Sequence, residues 1–181
     1  ANKELIQRSR VFMTQLEQSL DAANTALAYA KEGGSITILN PAPAQPLDEN
    51  ILNLCDFVTP NEIEAEQITG TPVKSVSDAE VAADKLLEKG ASAAVITLGE
   101  QGALFKDSKQ IIHQPSFQVG PIVETTGAGD AFNGGLAVAL AEEMPIDKAL
   151  RFACATASIS VTRPGTAPSM PDRNEIDTLL T

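Results

Sequence analysis

The chain has 181 residues, 43% hydrophobic and 20% charged, a length and composition that suit a globular protein with its own core and exclude a disordered or fibrous one. Thirteen Lys and Arg against 24 Asp and Glu leave a net charge of −11, which repels phosphate backbones and argues against nucleic acid as a partner. Cys55 and Cys154 lie far apart in apolar surroundings and read as reduced core thiols of a cytoplasmic protein, and the single histidine, His113, leaves nothing for a His/Cys zinc cluster.

In chain order, residues 11–13, 36–39, 56–59 and 93–98 are apolar runs bounded by polar or turn residues and predict buried strands. The last is the longest such run and is far too short to span a bilayer; residues 1–4 have no secretory signal pattern. Between the first two strands, Leu20, Ala23, Leu27 and Ala30 recur at helical spacing, and Gly33-Gly34 stops that helix. Ser77-Asp78-Ala79-Glu80 predicts a capping box opening a second helix that Gly90 closes. Residues 103–105 and 111–114 predict a short antiparallel pair, with His113 a solvent-facing strand residue. Helices follow at about 130–142, 147–161 and 172–180, and Phe12, Phe57, Phe105 and Phe152 read as core. This order predicts an α/β fold: a mainly parallel sheet flanked by helices, antiparallel at one edge, in one compact unit over 1–181.

The segment richest in chemistry is Glu124-Thr125-Thr126-Gly127-Ala128-Gly129-Asp130, directly before a helix. Glycines there let the backbone turn tightly and approach a ligand, and free N–H groups of Gly127, Ala128 and Gly129 would face an anion at the positive end of the helix. Asp130 beside them could take a proton from an attacking hydroxyl. The same pattern also suits an ordinary loop-to-helix junction with Asp as a helix-start residue. It is not a Walker A loop, since no Gly-Lys-Ser/Thr follows, nor a dinucleotide fingerprint, since it falls late in the chain and lacks the third glycine.

Thr125-Thr126-Gly127-Ala128-Gly129-Asp130-Ala131-Phe132-Asn133-Gly134 resembles the signature of the ribokinase-like (phosphofructokinase-B) carbohydrate kinases. Five further segments agree in the family's order: Gln15-Leu16-Glu17, Asn40-Pro41-Ala42-Pro43-Ala44, Thr59-Pro60-Asn61-Glu62-Ile63-Glu64-Ala65-Glu66, Thr97-Leu98-Gly99-Glu100-Gln101-Gly102, and Val161-Thr162-Arg163-Pro164-Gly165-Thr166-Ala167-Pro168-Ser169. The resemblance implies a Rossmann-type layered fold and transfer of the γ-phosphoryl group of Mg-ATP to a sugar hydroxyl, with ribose the expected sugar. Asp130 is then the catalytic base, in contact with the sugar, and Gly127, Ala128 and Gly129 form the anion hole. Asn61 and Glu64 match the family's Asn-x-x-Glu element, Glu64 reaching Mg2+ through water, although Asn-x-x-Glu before an apolar run is equally a helix cap. Thr97, Gly99 and Gly102 are implied nucleotide contacts, against the plainer reading of a strand and turn. Asn40 would face the same crevice, Pro41 and Pro43 would shape its loop, and Glu17 would contact the sugar. Thr156 and Cys154 would border the adenine pocket, with core packing the alternative for Cys154. A K+ site is implied at Glu124, Thr126, Arg163, Gly165 and Ser169, where Glu124 is one methylene longer than the Asp found at the matching place.

By the same resemblance the chain corresponds to the nucleotide and catalytic-base portion of such a kinase, without the N-terminal strands, sugar-binding residues and lid through which family members often form homodimers. A sheet lacking those strands is expected to expose an edge and an apolar face. Two other readings stand beside the kinase. One is a non-catalytic nucleotide-binding or interaction module that keeps the fold without the sugar site. The other, a dinucleotide-binding oxidoreductase domain, lacks the first-strand Gly fingerprint it needs.

Overall fold

In the computed structural model, which describes residues 2–47 and 49–181, the chain forms two compact units. The first comprises residues 1–98 and 104–113, the second residues 99–103 and 114–181.

The first unit is built on helices α1 (Lys3–Gln7), α2 (Leu20–Gly33), α3 (Glu49–Leu52), α4 (Glu62–Thr69) and α5 (Val76–Glu88). Its sheet carries β1 (Val11–Thr14), β2 (Ile36–Leu39), β3 (Phe57–Val58), β4 (Ala93–Thr97), β5 (Ala103–Asp107) and β6 (Ile111–Gln114), side by side in that order. β1 to β4 pair in parallel, with Val11 opposite Ile36 and Val58 opposite Ala94. β4, β5 and β6 follow one another through connections too short for a crossover, which makes this edge antiparallel. The mainly parallel sheet expected from the β-α-β-α order is thus the one observed.

Helix ends follow local chemistry. Gly34 takes the left-handed conformation (φ 79°) and ends α2, donating its N–H to Ala30 and Lys31. α5 starts earlier than the sequence suggested: the cap is Ser75, not Ser77, and its hydroxyl oxygen accepts the Asp78 N–H while Asp78 accepts the Lys74 N–H. The reciprocal partner of the capping serine is therefore Asp78, and Glu80 is left to pair with Lys106. Two apolar clusters hold the helices on the strands. One joins Ala79, Ala83 and Leu86 to Ile96 and Leu104, and the other joins Leu27 and Ile51 to Leu39 and Val58. Phe105 is buried, with its ring 6.4 Å from that of the partly buried Phe57.

The second unit contains α6 (Ala128–Ala141), α7 (Ile146–Ser160) and α8 (Arg173–Leu180). α6 and α7 approach closely because Gly135 faces Thr156; a Cβ on Gly135 would lie 2.7 Å from the Thr156 hydroxyl. Phe132, Leu136, Leu150, Phe152 and Ile159 are buried. Among the described residues no helix is long and apolar enough to cross a membrane. Both cysteines are free and buried, as their surroundings in the sequence suggested.

Candidate active site

The turn into α6 is closed by Ala128, whose N–H donates to the Thr125 carbonyl (3.1 Å), and by Gly127, which sits at the N-cap with φ 81°. That conformation favours glycine, and a Cβ there would also come within 3.3 Å of Thr166. Of the three N–H groups read as free in the sequence, Ala128's is therefore engaged inside the turn. Gly129 is the second residue of the helix, so its N–H has no acceptor within α6, and nothing lies within 4 Å of where its side chain would be. Asp130 completes the first turn and is exposed. It also stands at the mouth of a mostly apolar cavity of about 330 Å³ with Val138, Phe152 and Met170.

A second cavity of about 350 Å³ shares this turn. Gly99 forms one side, loop 116–120 another, Thr125 and Ala128 a third, and Ala157 and Ser158 of α7 close it. Its volume is that of a small-molecule site. Gly102, expected as a ligand contact, is not among the residues lining this cavity and has a packing reason of its own: at φ 90° its Cβ would collide with the Gln114 carbonyl at 2.0 Å. Thr156 and Cys154 do not line this cavity. Thr156 lines the apolar one and donates its hydroxyl to the Phe152 carbonyl (2.8 Å), while Cys154 lies against the Gln114 carbonyl (3.8 Å), its thiol pushed up to about 12 by burial. Ala157 and Ser158 are the α7 residues that line this cavity.

Glu124 accepts hydrogen bonds from the Gly165 N–H (2.7 Å) and the Thr126 hydroxyl, and both hold its carboxyl below the usual range. Ser169 is buried and donates to the Thr166 carbonyl (2.7 Å). Arg163 turns its guanidinium away to an ion pair with Glu175. Of the five residues expected around a potassium ion, Glu124, Thr126 and Gly165 are thus brought together, while the Arg163 side chain is engaged with Glu175.

In the first unit, Asn61 caps α4. Its Oδ1 accepts the Glu64 N–H (2.9 Å) and Glu64 Oε2 accepts the Asn61 N–H (2.9 Å), a complete capping box. Thr97 is the bridge partner of Asn61 and donates its N–H to the Pro60 carbonyl (3.0 Å), so both residues stand at the carboxyl ends of neighbouring parallel strands. In open α/β sheets that end is where ligands bind. Glu64 is only 9% exposed, and burial, followed by the charge of Glu62, pushes its carboxyl up against the opposing pull of the Asn61 N–H. Asn40 is buried at the end of β2, beside a loop containing a cis Ala42–Pro43 bond, and Glu17 is exposed after β1. Among the described residues no three His, Cys, Asp or Glu cluster as metal ligands.

A parallel α/β sheet and a glycine-rich helix start beside a ligand-sized cavity are features of a ribokinase-like fold. The chain belongs to the pfkB family of carbohydrate kinases, whose model matches residues 1–173. It is 42% identical over 172 residues to the ribokinase of Haemophilus influenzae, covering 94% of this chain and 55% of that protein. To the deoxyribokinase of Salmonella typhi it is 36% identical over 178 residues, covering 98% and 58%. The structure of Arabidopsis thaliana ribokinase complexed with ribose and ATP matches with a TM-score of 0.95 at 30% identity, over 99% of this chain and 58% of that one. Thermotoga maritima ribokinase matches with a TM-score of 0.87 at 36% identity, over 99% and 59%. The chain thus spans 55% to 59% of the length of these relatives.

Loop 116–120 and Ser158 escaped the sequence reading. Phe117 and Ser158 meet across 41 residues, a separation at which no periodicity or cap pattern speaks. The one local signal was turn composition around Pro115, Ser116 and Gly120.

Proposed function

We propose that the protein carrying this chain is an ATP-dependent sugar kinase that transfers the γ-phosphoryl group of Mg-ATP to a hydroxyl of ribose or a closely related sugar. The observation that carries this reading is the start of α6. An uncapped, glycine-formed helix N-terminus shares Thr125 and Ala128 with the 350 Å³ cavity and bears Asp130 in its first turn. A base and ribose in that cavity would direct the phosphates to the Gly127 and Gly129 N–H groups, where transferring charge is stabilised by fixed donors at the positive end of the helix. Asp130 would accept the proton of the attacking hydroxyl as the new O–P bond forms and ADP leaves. Glu64 would act through a water on magnesium, since its Oε2 is taken up by the cap. Glu17 is proposed for the sugar side, Thr97 and Gly99 for the nucleotide side.

Titration of the chain with Mg-ATP and Mg-ADP by calorimetry, followed by turnover in the longer protein, tests this. Asp130→Asn should lower turnover by at least about a hundredfold while nucleotide affinity stays within about threefold. Unchanged turnover would refute Asp130 as base. A folded chain that binds neither nucleotide would mean that the crevice needs a segment outside this chain, or that the chain is a non-catalytic interaction module.

A further inference from the structure

Loop 116–120 forms a whole wall of the 350 Å³ cavity, yet Gln118, Val119 and Gly120 are exposed and have little packing of their own. What fixes it is a stripe on α7. Ser158 Oγ accepts the Phe117 N–H (3.0 Å), the Arg151 guanidinium lies 5.0 Å from the centre of the Phe117 ring, and Cys154 Sγ touches the Gln114 carbonyl. Residues 151, 154 and 158 follow three- and four-residue spacing, one face of a helix. From the far side, the Ser116 hydroxyl donates to the Glu100 carbonyl (2.6 Å), tying the loop to the turn that begins at Gly99. The wall is therefore hung between α7 and the 99–101 turn, with its one buried hydroxyl anchor at Ser158, which is 7% exposed.

We propose that Ser158, supported by Arg151, is a positioning residue for the base of the bound nucleotide: it sets the place of loop 116–120 and hence the width of the base-binding half of the cavity. This rests on the nucleotide reading of that cavity. The anion-binding turn at Gly127 to Gly129 is built by other bonds, to Thr125 and against Thr166. Loss of the Ser158 anchor therefore weakens recognition of the base and leaves recognition of the phosphates intact.

The test is calorimetry of the 181-residue chain with Mg-ATP and, separately, with Mg-tripolyphosphate, which carries the charge without the base. Ser158→Ala leaves the Phe117 N–H without its acceptor and should weaken Mg-ATP about five- to tenfold, with tripolyphosphate within about twofold of wild type. Ser158→Thr keeps the hydroxyl and should recover most of the loss. Arg151→Ala, at an exposed position that folding tolerates, should weaken Mg-ATP about two- to threefold on its own. It carries the test if the serine variant does not fold. Mg-ATP affinity unchanged in both alanine variants overturns the proposal, as does an equal loss for both ligands, which marks the contact as merely structural. A wild-type chain that binds tripolyphosphate but not Mg-ATP, or neither, overturns the nucleotide reading and this inference with it.

Discussion

Glu64 offers the sharpest test of whether a residue in this chain serves structure alone. Its carboxylate completes the α4 cap through the Asn61 N–H, and glutamine retains an oxygen able to accept that bond, so Glu64→Gln keeps the roughly 1 kcal/mol a cap contributes. What it removes is a buried charge. Because burial and Glu62 raise the carboxyl above its ordinary 4.5, the native state binds this proton more tightly than the unfolded chain does. Stability contributed here is then complete below the ordinary value and is lost as pH rises through the folded value. Glu64→Gln, neutral throughout, should escape that loss. It is expected to match wild type at about pH 4 and to equal or exceed its stability at about pH 7, whereas Glu64→Ala, which orphans the Asn61 N–H, should cost about 2 kcal/mol. Urea unfolding followed by far-UV circular dichroism reads both. A glutamine variant less stable than wild type by more than about 1.5 kcal/mol near neutral pH, or a gap that moves in wild type's favour as pH rises, would refute the reasoning. If the cap were the residue's entire role, glutamine would serve as well; the proposed role at magnesium predicts instead that, in the longer protein, the variant needs more magnesium for half-maximal turnover.

The two glycines of the turn into α6 should behave oppositely. Gly127→Ala forces a Cβ onto a left-handed backbone and toward Thr166 and should destabilise the chain by about 1–2 kcal/mol in urea melts. Gly129→Ala enters open space in a helix and should stabilise it by up to about 1 kcal/mol, yet weaken tripolyphosphate binding by crowding its N–H; unchanged affinity would remove Gly129 from the site. Both thiols are pushed up to about 12 by burial, Cys55 with a lesser push from Asp56, so neither should react with a thiol reagent at about pH 8 faster than the chain unfolds. Rapid labelling of the native chain would contradict the burial.

The parts of the fold that could be read from the sequence are those where one local rule suffices. Residues 36–39 and 93–97 are strands because uninterrupted β-branched and apolar residues can only be buried on both faces of a parallel sheet. α2 ends at Gly34 because glycine accepts the left-handed turn there. The α5 start was misplaced by two residues because Ser75-x-x-Asp78 and Ser77-x-x-Glu80 are overlapping matches to one pattern, and the first uses the shorter carboxylate. α1 and α3, with 5 and 4 residues, are too short for a periodicity to register.

At the candidate site the division has a different cause. Gly127, Gly102 and Gly135 look alike in sequence, yet the first is fixed by its φ, the second by the Gln114 carbonyl and the third by Thr156, while Gly129 meets nothing at all. A glycine needed by the fold is recognised by what its missing side chain would strike. One that serves a ligand is recognised by empty space in front of a backbone donor. By that criterion Gly129 is the glycine best placed to meet the proposed phosphate, while Gly102 also serves the scaffold, since a Cβ there would strike the Gln114 carbonyl at the start of the segment leading into loop 116–120.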